Sequence, residues 1–284
     1  MARLLCLVLV ACSSAPAAAP KRPPIALTYL GVAGWQIEGD GKVILTDPYL
    51  SRPADPGAPL VPDVAAIAAH TPARADLVVV GHSHYDHLLD APAVARRTGA
   101  QLLGSLSTTR VGRASGVAND HLITIKGGED FEMDGYSIRA IPSLHSAIGD
   151  KHTFGDAIAA EPHLPMPAAD YQEGGTFAYL LRLAGREIVI LDTANFIERE
   201  LAGIHPDIAI IAPGAREHIH DYTCRLLHAL GDPPIVIATH FDEWKGPAVD
   251  APLTEDLTSF SAEVHRCSPH AQLIIPHHFE RMAL

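Results

Sequence analysis

Positive charge is scarce in this 284-residue chain: 21 Lys and Arg stand against 33 Asp and Glu, a formal net charge of −12. Binding to nucleic acid needs clustered basic side chains against phosphate, so no nucleic-acid partner is expected. Cysteine is also sparse, four in all, and no C-x-x-C pair offers a structural zinc site. No G-x-S-x-G motif occurs, which argues against a serine nucleophile and a covalent acyl-enzyme. No apolar run beyond the N-terminus approaches transmembrane length, and even Leu4 to Val10 is only seven residues, far too few to span a bilayer. Heptads and short-period repeats are missing too.

What is present is concentrated in His82-Ser83-His84-Tyr85-Asp86-His87, directly after the apolar run Leu77-Val78-Val79-Val80-Gly81. Three imidazoles and a carboxylate in six positions are too polar for a core, and they sit where a buried strand should end. In extended or turn-like backbone His82 and His84 point the same way and can grip one metal ion, while Asp86 and His87 face a second position.

The remaining ligands also stand at the ends of β-branched runs. His145 closes the stretch from Tyr136 to Leu144, Asp192 follows Glu187 to Leu191, and His240 follows Ile235 to Thr239. Five imidazoles and two carboxylates suffice for two divalent ions: His82, His84 and His145 on one, Asp86, His87 and His240 on the other, and Asp192 between them. Zinc is the expected metal, with manganese or iron as alternatives.

The coarse pattern is β-rich with inserted helices. Strands are expected at Leu27–Gly31, Gly34–Ile37, Val43–Thr46, Leu77–Val80, Gln101–Gly104, Leu122–Ile125, Tyr136–Ile141, Thr176–Leu183, Glu187–Leu191, Asp207–Ile211 and Ile235–Thr239. Gly-Asp-Gly at 39–41 signals a hairpin. Helices are expected at Ala91–Thr98, Ser107–Gly112, Asp221–Leu230 with an Asp N-cap, and Thr254–Arg266. Two such halves suit an α+β fold, an αββα sandwich of two mixed sheets face to face with helices outside. Residues 25–284 form its single domain.

The pattern HxHxDH followed by a lone His, an Asp and a His at strand ends resembles the metallo-β-lactamase superfamily of dinuclear hydrolases, from about Ile25 to the C-terminus. Ile44-Leu45-Thr46-Asp47-Pro48, the HSHYDH wording and Glu173-Gly-Gly-Thr-Phe-Ala-Tyr-Leu180 are similar to the branch of ascorbate-phosphate lactonases and N-acyl-phosphatidylethanolamine phospholipase D-like proteins. All seven metal positions are filled. Asp192 departs slightly, standing in Leu-Asp-Thr-Ala-Asn-Phe where relatives often show Gly-Asp. The resemblance implies that Asp47 braces the metal-binding histidines through their other N–H; the plainer alternative is a turn Asp before Pro48.

Residues 1–24 read as an export leader and tether. Met1-Ala-Arg3 is a short positive region, and Leu9-Val10-Ala11-Cys12 resembles a bacterial lipoprotein cleavage box, with Cys12 lipidated. Ser13 to Pro24 is an Ala/Pro/Ser-rich tether. The alternative is an ordinary signal peptide cut near 17–19, leaving a soluble periplasmic protein. In an oxidising compartment Cys224 and Cys267 can pair, or they stand as two buried free thiols.

Two adjacent ions imply a bridging hydroxide as nucleophile, with Asp86 as metal ligand and proton handler. The reaction is then water attack on an ester, lactone, amide or phosphodiester of a small or lipid-derived substrate. The segments Ser51–Pro72 and Ser146–Gln172 are expected to overhang the metals, the second as a lid with Phe154, Leu164 and Met166 favouring acyl-bearing substrates. His218 or His220 could line the pocket; the other remaining histidines read as surface or packing residues. The competing readings are a non-catalytic metal-binding lipoprotein for sequestration or sensing, a vestigial structural lipoprotein, and a true β-lactamase.

Overall fold

A computed structural model describes residues 22–149, 155–246 and 251–284; the leader with Cys12 lies outside them. The first half runs β1 (Ile25–Gly31), β2 (Gly34–Gly39), β3 (Lys42–Thr46), α1 (Val64–His70), β4 (Leu77–Val79), α2 (Tyr85–Leu88), α3 (Ala91–Thr98), β5 (Gln101–Gly104), α4 (Leu106–Ala114) and β6 (Leu122–Thr124). The second runs β7 (Asp130–Met133), β8 (Tyr136–Pro142), β9 (Phe177–Leu183), β10 (Arg186–Leu191), β11 (Ile208–Ile211), α5 (Tyr222–Ala229), β12 (Ile235–Ala238), α6 (Leu257–Cys267), β13 (Gln272–Ile274) and β14 (Arg281–Ala283).

These strands form two seven-stranded mixed sheets, ordered β14-β1-β2-β3-β4-β5-β6 and β13-β12-β11-β10-β9-β8-β7. β3 through β6 run parallel, as do β10 through β13. Parallel strands here are covered on both faces, which is why they read as continuous apolar runs. Ile44, Leu77, Val79 and Leu103 enter the core between the sheets. Their neighbours Leu45, Val78 and Leu102 enter a second core beneath α1 and α3. The αββα sandwich is the observed fold.

Several local expectations change. Residues 51–72 are not an open overhang: Asp63 accepts from the Ala65 and Ala66 amides and caps α1, whose Ile67 is buried. Asp221 stands at the start of α5 but makes no side-chain cap, whereas α6 begins three residues later than expected, with Asp256 accepting from Thr258 and Ser259. β7, β13 and β14 extend the sheet edges beyond the strands expected. Cys224 and Cys267 are joined as a disulfide linking α5 to α6, Cα atoms 4.9 Å apart.

Candidate metal centre

The loop after β4 is pinned by both sheets. Val80 donates its N–H to Leu103 and accepts the Tyr179 hydroxyl at 2.7 Å. Gly81 donates to Asp47 Oδ1 at 2.8 Å and accepts from the Phe177 amide, and the Ser83 amide donates to Glu173 O at 2.7 Å. The chain therefore leaves β4 extended, and successive side chains alternate. Ser83 turns to a buried hydroxyl cluster with Ser105 and Thr108, while His82 and His84 turn to the opposite side. His84 then stands at the N-cap of α2, whose single turn carries Asp86 and His87.

Other strand ends complete the cluster: Asp47 after β3, His145 beyond β8, Asp192 after β10 and His240 beyond β12. The rings of His82, His84 and His145 lie 4.7–4.8 Å apart and nearly perpendicular to one another. Three groups have ligand atoms within 4.8 Å of one another: His82, His84 and His145; His82, His87 and Asp192; Asp86, His87 and His240. All seven residues singled out from the sequence therefore meet, with His82 and His87 each shared by two groups. Asp192 Oδ2 lies 2.7 Å from His82 Nδ1 and 3.3 Å from His87 Nδ1. Asp47 Oδ1 lies 3.4 Å from His87 Nδ1, and Asp86 Oδ2 is 3.4 Å from His240 Nε2.

Electrostatics fit cation binding. Burial, reinforced by neighbouring imidazoles, holds His82 far below its usual range and His145 down to about 4; burial also lowers His84. These three are neutral at pH 7, the form that ligates metal. Burial pushes Asp192 upward, with the Asp47 charge adding to it. His87 is raised to about 9: burial opposes this, but Asp86, Asp47 and Asp192 outweigh it. Three carboxylates thus converge on one buried position that only positive charge balances. The buried His82 Nε2 and His87 Nε2 have no hydrogen-bond partner among the described residues, a costly state unless something else is bound there. The donor set fits two divalent ions.

A network invisible from the sequence holds His240 in place. His240 and Val32 both have positive φ, 52° and 53°, unusual for a side chain and more so for a β-branched one. The His240 amide donates to Val32 O at 2.5 Å, and the Val32 amide donates to Asp242 Oδ1 at 2.9 Å. Asp242 also accepts from Tyr29 at 2.6 Å, Arg52 at 2.8 Å and His278 at 2.9 Å. Burial opposes its charge, yet His278, Arg52 and Tyr29 together hold its carboxyl well below the usual range. Gly31, at φ +94°, leaves room for the Arg52 guanidinium.

Above the ligands lies a cavity of about 510 Å³ bordered by His84, Asp86, His87, His145 and His240. Segment 146–172 contributes Ser146, Ile148, Ala168, Ala169, Tyr171 and Gln172, but 51–72 contributes nothing to it. The expected lid anchors differ: Met166 is buried and Leu164 packs against the same core on the first sheet, because the segment is bonded to the 56–60 stretch, the Leu60 amide donating to Met166 O at 2.9 Å and the Ala168 amide to Pro56 O at 3.1 Å. Phe154 lies outside the described residues. His218 Nδ1–H donates to Ala147 O, and neither it nor His220 borders the cavity.

Residues 26–240 match the family described as Beta-lactamase superfamily domain. The chain belongs to the metallo-β-lactamase fold superfamily. Within it, a UPF0173 metal-dependent hydrolase from Pelotomaculum thermopropionicum is 30% identical over 250 residues, covering 86% of this chain and 96% of the relative. A second of that name from Methanopyrus kandleri is 27% identical, covering 88% and 95%. Among solved structures, Igni18, a metallo hydrolase from Ignicoccus hospitalis, shares the fold with a TM-score of 0.63 at 21% identity, covering 92% of this chain and 98% of its own.

Proposed function

We propose that this superfamily member is a metal-dependent hydrolase that cleaves an ester, lactone or phosphodiester bond with two divalent ions, zinc foremost. His82, His84 and His145 would hold one, Asp86, His87 and His240 the other, and Asp192 would lie between them. The observation that carries the reading is the sharing of His82 and His87 among three overlapping ligand groups, five of whose members border the cavity. When bound, such ions supply Lewis acidity and make water acidic enough to attack at neutral pH. Asp86 Oδ2, which borders the cavity beside His240, takes the proton of the attacking water and returns it to the leaving group. Asp47 orients His87, and the apolar walls keep bulk water from the reacting bond.

Metal analysis with turnover of a lactone and phosphodiester panel tests this. His82→Ala/His84→Ala should lose metal and activity together; full metal and rate in that double variant would refute it. Export is proposed as well, with lipid anchoring at Cys12. It is supported by the Leu9–Cys12 box and by the Cys224–Cys267 disulfide, a bond typical of oxidising compartments. Palmitate labelling that survives Cys12→Ser would overturn the anchor.

A further inference from the structure

Resting on the hydrolase reading above, we infer that the site takes a neutral carbonyl ester or lactone with an apolar acyl chain and disfavours anionic phosphodiesters, with Glu255 setting that choice. The cavity has the volume of a site for a drug-sized molecule. Apart from the ligand residues, its walls are mainly apolar, with Ile148, Ala169, Tyr171, Ala194 and Trp244 prominent. Beyond the metal ions, a site for a phosphate ester gains from Arg or Lys on the non-bridging oxygens. Among the described residues bordering this cavity there is neither.

The one charged wall residue outside the ligand set is acidic. Glu255 is half-buried, and its carboxylate lies against Gly214, where an added Cβ would stand 3.3 Å from Glu255 Oε1 and 3.5 Å from His240 O. It therefore sits beside the backbone of the His240 loop. Arg216 and His240 lie within electrostatic reach of Glu255, but the Arg216 guanidinium is engaged by Glu263 through both Nε at 3.1 Å and Nη2 at 3.3 Å. No Lys or Arg among the described residues forms an ion pair with Glu255. A carboxylate so placed opposes a substrate carrying formal negative charge at the reacting centre and leaves a neutral one unaffected. Ile148 on the cavity wall is itself exposed and extends that apolar character outward.

Two compounds with the same leaving group and the same chain test this: p-nitrophenyl hexanoate and p-nitrophenyl hexyl phosphate, each given to the metal-loaded full chain. The ester should be preferred, and Glu255→Gln should raise kcat/KM for the diester about tenfold while moving the ester less than about twofold. Binding gives a second readout, because Trp244 lines the cavity whereas Trp35 is buried in the core. Titrating its fluorescence should show octanamide binding unchanged by Glu255→Gln and octyl sulfate binding tightened about tenfold. A wild-type preference for the diester, or ratios that Glu255→Gln leaves unmoved, overturns the assignment and spares the hydrolase reading. Turnover of neither compound overturns the hydrolase reading itself.

Discussion

Replacing Gly81 by Ala should disable the metal centre while leaving the sandwich folded. Gly81 needs no left-handed backbone; its constraint is space. An added Cβ would lie 2.5 Å from Asp192 Cγ, whereas carbon pairs settle at about 3.5–4.0 Å. Either the Asp192 carboxylate retreats by roughly 1 Å or more, or the backbone does. The backbone is held at both ends, by Asp47 on the Gly81 amide and by the Phe177 amide on its carbonyl. The carboxylate must therefore move, and a shift of about 1 Å in a catalytic constellation costs on the order of a hundredfold in rate. Metal-to-protein ratio and kcat/KM measured on one preparation, beside a melting curve, check this. Gly155→Ala is the control, since a Cβ there meets nothing within 4 Å. Full metal and undiminished kcat/KM in Gly81→Ala would refute the placement of Asp192 against the loop.

Asp86→Asn and Asp192→Asn should separate under added metal: saturating metal rescues Asp192→Asn, but a loss of about a hundredfold persists in Asp86→Asn if it moves the proton. Full rescue of Asp86→Asn would reduce it to a ligand. Arg52→Leu leaves the buried Asp242 charge short of its ion pair and should cost about 3–5 kcal/mol in urea unfolding; a loss under 1 kcal/mol would show that the pair is dispensable. Because the folded Asp242 carboxyl lies below its usual 3.8, its stabilisation is present above that pH and is lost as pH falls below it. Stability of wild type should therefore drop more than that of Asp242→Asn on acidification, and parallel curves would contradict the assignment. Cys224 and Cys267 are 43 residues apart, so loop-closure entropy gives their bond about 4 kcal/mol. Reduction or Cys224→Ser should lower the urea midpoint accordingly, and an unchanged midpoint in reductant would mean that the bond does not form.

How far the molecule was legible depended on the range of the interactions. β3, β4 and β5 announce themselves because both faces are buried, so Ile44-Leu45, Leu77 to Val80 and Leu102-Leu103 are unbroken apolar runs. The ligands are legible for the converse reason: His and Asp directly after such runs have no packing role. β7 and β13 carry no fully buried side chain and gave no comparable signal. α1 was hidden by Pro and Ala around it, although Asp63 before Val64-Ala-Ala-Ile is a capping pattern. The Asp242 network could not be read at all, since Tyr29 and Arg52 lie 213 and 190 residues from it in sequence. Leu164 and Met166 were misplaced because apolar residues look alike whether they line a cavity or close a core.

That unreadable network bears on the chemistry more than on stability. A buried ion pair is weak support for a fold compared with apolar packing of equal volume. Val32 and His240, together with Asp47 at φ 39° and Arg52 at φ 41°, are left-handed non-glycine residues gathered at one edge of the sandwich. Such conformations cost of order 1–3 kcal/mol each and persist only where surrounding contacts over-determine them. Asp242 supplies those contacts: one carboxylate fixes the Val32 amide, the Val32 carbonyl in turn receives the amide of His240, and Thr239 Oγ1 donates to the same carbonyl. His240 is therefore positioned from behind by groups that never touch the cavity. The two halves of the ligand set consequently have different origins, one local in HSHYDH and one drawn from distant strand ends; His145, Asp192 and His240 are legible at those ends, whereas the long-range contacts that position His240 are not.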